Sequence, residues 1–474
     1  MKKRLLFLTI FAYIGLSATA QNPLLWGMTA AGGADTLGTI FKINGDGSGF
    51  QTLQSLNTIT GDAPDGTLIY ASNHKFYGVA LTGGANNKGT IFSLDTNNVF
   101  TNVHDFTGNA GSYPKGRLLQ ANNGKLYGMT FYDDSIGAGV IFKYNPVNNT
   151  FAKLVTFNGT GNGQSPRGSL MQATDGKIYG MCQAGGANQF GTLFRFDTLT
   201  NTATNLHSFS TATGFNPFGN LIQASNGLLY GLCMYFGTTG PGTIFSFNPS
   251  SNVFTDLIHF STTNGGFPEG SLLQASDGKL YGLTYGGGSS SKGVLFCYDI
   301  NANTITDLVV FTGTNGSQPS GSLIQASDHN LYGTTTAGGA NNKGEIFKYN
   351  ILTSTFTDIH DFNGTDGKSP GGSLIEALKP ISTGMKNFSS QDDKIRISPN
   401  PATNLLTISL PGENPGICTM NLYDIVGEKV LPQLSFSNAE FSINIDKLSP
   451  GIYFLEVNNH GTKKLIKVLK INGN

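Results

Sequence analysis

The sequence predicts an all-β protein: a seven-bladed β-propeller of four-stranded antiparallel blades, its ring closed by the C-terminal strand of the repeats, followed by a small immunoglobulin-like β-sandwich. Three observations carry this expectation. An aromatic-Gly pair recurs seven times, at Trp26-Gly27, Tyr77-Gly78, Tyr127-Gly128, Tyr179-Gly180, Tyr230-Gly231, Tyr281-Gly282 and Tyr332-Gly333, at intervals of 50 to 52 residues. The first unit lacks its leading strand, and the last stops directly after that strand. Beyond residue 394 the repeat ends and short apolar stretches alternate with turn residues.

The unit is clearest at Pro268 to Phe311. SLLQA (271–275) has the length of a strand. Asp277-Gly278 follows, a tight-hairpin signal because the turn needs positive φ. KLYGLT (279–284), VLFCYD (294–299) and TITDLVVF (304–311) supply three more strands, separated by a glycine-rich loop and a polar turn. This four-stranded meander, A to D, is apolar on both faces and must stack on copies of itself. A Pro-x-Gly precedes each A strand, at Pro64, Pro114, Pro166, Pro217, Pro268, Pro319 and Pro370. Pairing of SLIEA (373–377) with LLWGMT (24–29) would complete the first blade and remove two exposed edges.

Met1 to Ala20 has the pattern of a secretory signal peptide: Lys2-Lys3-Arg4, an apolar run to Leu16, then small residues. The run is short for a membrane anchor, and no membrane-spanning segment is expected in the mature chain. No cysteine stands at position 21 to suggest lipidation. Residues 21–378 form the propeller, 379–394 a linker and 395–474 the sandwich. Zero net charge and 12% charged residues argue against a nucleic-acid partner, which needs a basic stripe. The four cysteines, Cys182, Cys233, Cys297 and Cys418, match no zinc or disulfide framework and read as small core residues.

The repeating pattern G-x-L-[ILM]-Q-A-x-[DN]-G-[KL]-[LI]-Y-G-[ML]-T, then GG, then G-T-[IL]-F, resembles the bacterial extracellular propeller repeat called the Gloeo/Verruco repeat. The resemblance implies a secreted propeller and brings no assigned activity. In the tail, strands are expected at 395–398, 405–410, 417–424, 428–431, 441–445, 452–457 and 464–471. Pro399-Asn400-Pro401, Leu422-Tyr423-Asp424, Gly427-Glu428-Lys429-Val430 and Leu448-Ser449-Pro450-Gly451-Ile452-Tyr453 resemble the sorting domain of the type IX secretion system. That resemblance implies a Bacteroidetes-type bacterium, the type IX machinery as partner of 395–474, and a secreted or outer-membrane-surface protein. An ordinary ligand-binding sandwich is the plainer alternative.

No catalytic, phosphate-loop or dinucleotide motif is present. The histidines do not converge, so no metal or other cofactor is expected; His104, His207, His259 and His360 fall in D strands and read as surface or edge residues. The repeated Gln120, Gln172, Gln223, Gln274 and Gln325, and the repeated Tyr and Phe, read as hydrogen bonding and packing common to every blade. Function is therefore sought where the units differ. The x of each Pro-x-Gly varies: Asp65, Lys115, Arg167, Phe218, Glu269, Ser320 and Gly371 should ring one channel mouth. The neighbouring loops carry Tyr132, Tyr235, Phe236, Phe267 and Tyr285, which with Phe218 could stack on sugar rings or pack their own loops. The expected function is a monomeric binding module for a glycan or surface protein. The alternatives are a polysaccharide lyase or glycosidase using Asp65 and Glu269, or a structural envelope protein.

Overall fold

The computed structural model describes residues 22–236, 240–377, 396–400, 402–410, 418–424, 429–448, 451–459 and 462–470. The expected signal peptide (1–20) and linker (379–394) lie outside the described residues. The chain divides into two compact units, residues 1–377 and 378–474. Every regular element among the described residues is a β-strand.

The first unit holds seven antiparallel sheets consistent with propeller blades. In the unit around Tyr281 the strands are Leu273–Gln274, Leu280–Thr284, Val294–Asp299 and Thr304–Val310, paired in that order. The first sheet takes Leu24–Thr29, Thr39–Asn44 and Gln51–Ser55 from the N-terminal side and Ile375–Ala377 from the far end of the repeats, with Leu24 opposite Ala377 and Trp26 opposite Ile375. The fifth sheet gains Phe215–Pro217, which pairs with Leu229–Tyr235 beside Ile222–Gln223.

Most leading strands are shorter than the sequence suggests; that of the third sheet, Ser112–Gln120, is the exception. Residues 271 and 272 lie outside the ladder because their backbone turns to the neighbouring repeat: Ser271 N–H donates to Ser322 Oγ at 2.8 Å, not to its own sheet. Equivalent bonds run from Asn220 N to Ser271 Oγ, Ser322 N to Ser373 Oγ and Ser373 N to Thr67 Oγ1. The glycines of Pro-x-Gly follow the same succession. A Cβ on any of Gly66, Gly116, Gly168, Gly219, Gly270 and Gly321 would strike backbone of the next one, and a Cβ on Gly372 would strike Gly66. Only glycine permits that approach.

Between sheets lie apolar clusters. Tyr281, Leu283 and Phe311 pack with Leu323, Leu331 and Phe347 of the next sheet, and Tyr332, Ile346 and Phe362 of the last full sheet pack with Leu25, Phe41 and Ile43 of the first. Each B-strand glycine makes room for a C-strand ring: a Cβ on Gly282 would overlap the ring of Phe296. The repeated tyrosine is buried and its hydroxyl is tied to the A–B turn; Tyr281 donates to Asp277 Oδ2 at 2.7 Å and Tyr179 to Asp175 Oδ2 at 2.9 Å. The repeated glutamine also has a structural use. Gln274 Oε1 accepts from Ser225 N–H of the preceding sheet at 2.7 Å, while its Nε2 donates to Gly278 O.

The second unit has two antiparallel sheets. Arg396–Ser398, Leu405–Ser409 and Glu440–Asn444 form one; Leu434–Phe436, Cys418–Tyr423, Gly451–Asn459 and Thr462–Lys470 form the other. One core joins them, including Leu406, Ile408, Met420, Leu422, Ile443 and Leu455. The expected strand at 428–431 is reduced to a bridge between Tyr423 and Lys429, and Leu434–Phe436 supplies the edge instead. Short edge segments carry little periodicity, so the sequence pattern does not separate the two.

Candidate functional site

The seven Pro-x-Gly segments converge on one cavity of about 260 Å³. Its lining includes all seven x residues, Asp65, Lys115, Arg167, Phe218, Glu269, Ser320 and Gly371, together with Tyr285. The residue before each proline is left-handed, from Ala63 at φ 50° to Tyr113 at φ 57°. That conformation costs about 1–3 kcal/mol for a non-glycine residue and is disfavoured before proline. It persists because each such N–H donates to a B–C loop of the preceding sheet, as Gln318 does to Lys292 O at 2.8 Å and Ser369 to Lys343 O at 2.9 Å. The joint between sheets thus fixes where the next residue points.

The mouth is mixed in charge. Enclosure pushes the carboxyls of Asp65 and Glu269 above the usual range, against the pull of Lys115 and Arg167. Asp65 remains open to water at the cavity, which limits that push. Burial draws Lys115 and Arg167 downward, partly offset by the two acids. None of the ion pairs among the described residues joins these four; they face one cavity with unspent hydrogen-bonding capacity. Arg167 stacks on the buried ring of Phe218, with its Cζ 4.0 Å from the ring centroid, and Lys115 Nζ lies 5.5 Å from that of Phe131. Tyr285 has its hydroxyl pushed up by burial and by Glu269.

Of the six aromatic residues expected to bind, Phe218 and Tyr285 line the cavity and the other four do not. Tyr132 meets Tyr113 and Phe131 edge-on, at 6.0 and 4.6 Å between centroids. Phe236 stacks on His259 at 3.6 Å. Tyr235 stacks on Phe215 at 5.2 Å and meets Phe267 at 5.7 Å. Phe215 also meets Phe190 at 5.1 Å, and Phe190 is 36% exposed. The result is a partly exposed ridge, Phe190–Phe215–Tyr235–Phe267. It reaches the mouth at Phe267, whose carbonyl accepts from Tyr285 N–H at 3.1 Å. The sequence reading overlooked Phe190. Its signal was present: the residue before the B–C loop's last glycine is Leu37, Lys88, Ala138, Pro241, Lys292 or Lys343 in the other units.

The D-strand histidines correct another expectation. His104, His207 and His360 are half-buried on the edge strands of their sheets, not on the open surface. Each stacks on an aromatic ring of the adjacent sheet, Phe151 at 3.8 Å, Phe254 at 3.9 Å and Phe50 at 4.0 Å. An imidazole is flat and apolar enough on its face to serve as a packing ring. Of these four, only His259 is exposed, and it bonds Asp256. All four cysteines are buried.

The Gloeobacter/Verrucomicrobia repeat model matches residues 11–135, 118–272 and 222–392, most of the chain. The chain belongs to the Gloeobacter/Verrucomicrobia repeat family. This repeat protein also carries a secretion system C-terminal sorting domain at residues 396–471, the type IX tail, which directs export out of the cell. Among the described residues no helix is long and apolar enough to cross a membrane. Comparison with curated proteins finds no match. Among solved structures, the repeat protein is similar to a 6-phosphogluconolactonase candidate from Bacteroides fragilis, with 16% identity, 76% of this chain and 99% of that one covered, and a TM-score of 0.54. A second such candidate, from Bacteroides uniformis, gives 13% identity, 74% and 99% coverage, and a TM-score of 0.52. At these identities the likeness is one of fold.

Proposed function

We propose that residues 21–378 form one closed seven-bladed propeller and act as an exported binding module for a neutral polysaccharide. The succession of glycines from Gly66 to Gly372 and back to Gly66 supports the closed ring. The observation that carries the binding role is the ridge Phe190–Phe215–Tyr235–Phe267 running to the charged mouth. Aromatic faces suit the C–H faces of sugar rings. A mouth with two acids, two cations and a tyrosine hydroxyl suits hydroxyl groups, which donate and accept. An anion would meet Asp65 and Glu269, and a cation would meet Lys115 and Arg167. On this reading the mature protein works as a monomer at the cell surface or beyond it, with the immunoglobulin-like tail spent on sorting.

A second reading, a polysaccharide-cleaving enzyme, is favoured by one observation: both mouth carboxyls are pushed toward the protonated state within one cavity. One experiment separates the two. The intact protein is incubated with a panel of soluble polysaccharides, and both retention and chain shortening are measured. Retention without shortening is expected. Shortening that disappears in Glu269→Gln would replace the binding role with the enzymatic one, and neither effect by the folded protein would remove both.

A further inference from the structure

The last full sheet departs from its six counterparts at the start of its C strand. The first residue of its C strand is Glu345, where the other units have Thr39, Thr90, Val140, Thr192, Thr243 and Val294. Glu345 is 0% exposed, and neither carboxylate oxygen has a hydrogen-bond partner. Asp361 stands opposite it across the strand pair, and Asp358 is close by; one oxygen from each of the three acids lies within 4.8 Å of the others. Like charges facing each other across a strand pair destabilise a sheet. None of the ion pairs among the described residues reaches these acids.

The other units show what normally fills this space. Thr90 Oγ1 donates to Thr60 O, Thr192 Oγ1 to Asn162 O and Thr39 Oγ1 to Asp366 O. The matching carbonyl for Glu345 is that of Asn315, four residues before Pro319 as Thr60, Asn162 and Asp366 are before theirs. The position of Asp358 holds Asn102 and Asn205 in two units, whose amides donate to Asp105 Oδ1 and Ser208 Oγ. It holds Asp256 and Asp307 in two others, where the first C-strand residue is Thr243, which donates to Asp256, or Val294, so only this sheet sets a second acid beside the aspartate. Here both donors are replaced by acceptors. Asp361 keeps the common role with one oxygen, accepting from Ala340 N–H at 2.7 Å, and Asp358 accepts from His360 N–H at 3.1 Å.

We propose that Glu345, Asp358 and Asp361, with the Asn315 carbonyl, bind one calcium ion. Oxygen-only ligands mixing carboxylates and a backbone carbonyl are what this hard cation takes, and extracellular calcium modules work in the millimolar range or just below it. Burial and the two aspartates push the Glu345 carboxyl up to about 9, and burial and Asp361 push Asp358 up to about 6. A proton on Glu345 could be shared with only one neighbouring carboxylate, whereas a metal satisfies all three acids together. The ion would staple the C and D strands at the loop end of the sheet.

The test uses the full chain, stripped with chelator and then titrated with calcium by equilibrium dialysis and by melting. The expected result is one ion bound per chain and a melting temperature several degrees higher with about 1 mM calcium. Glu345→Thr restores the residue of four other units, and Asp358→Asn restores that of two. Each should fold, lose the ion and melt at the same temperature with or without chelator. A wild-type chain that binds no calcium, or variants that bind it as the wild type does, would overturn the proposal.

Discussion

The smallest decisive features are single residues repeated because each sheet joint needs them. Gly282 is one: its missing Cβ is the space occupied by the Phe296 ring. Gly282→Ala is expected to destabilise the first unit by about 1–3 kcal/mol, read as a lower denaturant midpoint with an unchanged slope. Tyr281→Phe should cost about 1–2 kcal/mol, because the hydroxyl bonded to Asp277 is lost and the carboxylate loses a donor. His207 gives a pH dependence. Burial between the sheets pulls its imidazole from an ordinary value of 6.5 down to about 4. Between those values the unfolded chain binds the proton and the folded chain does not. This contribution to stability is therefore complete above about pH 6.5 and is lost as pH falls toward 4. His207→Phe keeps the stack on Phe254 and should lose less stability than the wild type over that window, measured by denaturation at successive pH values.

At the scale of elements, the B, C and D strands were legible because three features repeat in register: the aromatic-Gly pair, the C-strand phenylalanine and the polar turns. The leading strands were less so. Their apolar pattern reflects burial near the cavity, while their backbone bonds go to the neighbouring repeat, and periodicity does not reveal which partner a backbone chooses. The histidine stacks were missed for a related reason: a partner in the next sheet, such as Phe254 for His207, is about fifty residues away in sequence. The mouth residues were legible as the varying x of Pro-x-Gly, but the aromatic loops were only half so. Phe218 and Tyr285 reached the cavity while Tyr235 and Phe267 joined a ridge beside it. The glutamine links belong to this scale too. Gln274→Leu removes the acceptor of Ser225 N–H and the donor to Gly278 O and should lower stability by about 1 kcal/mol without altering ligand binding.

At the scale of the molecule, the last leading strand completes the first sheet. Trp26 opposite Ile375 and Ser373 N–H bonded to Thr67 Oγ1 are its two anchors. A chain ended after Ala377 should unfold in one cooperative transition, whereas one ended after Gly371 leaves Leu24–Thr29 as an open edge and should melt lower and more broadly, as calorimetry would show. Export by the sorting tail carries the varying loops out of the cell, where on the proposed reading a chain molecule can reach them. The most direct measurement of that idea is the affinity of the intact protein for the polysaccharide it retains best, compared with Phe215→Ala and Tyr235→Ala. We predict a loss of tenfold or more in each variant, about 1.4 kcal/mol, at unchanged melting temperature. Affinity untouched by both substitutions would contradict the ridge as the binding surface.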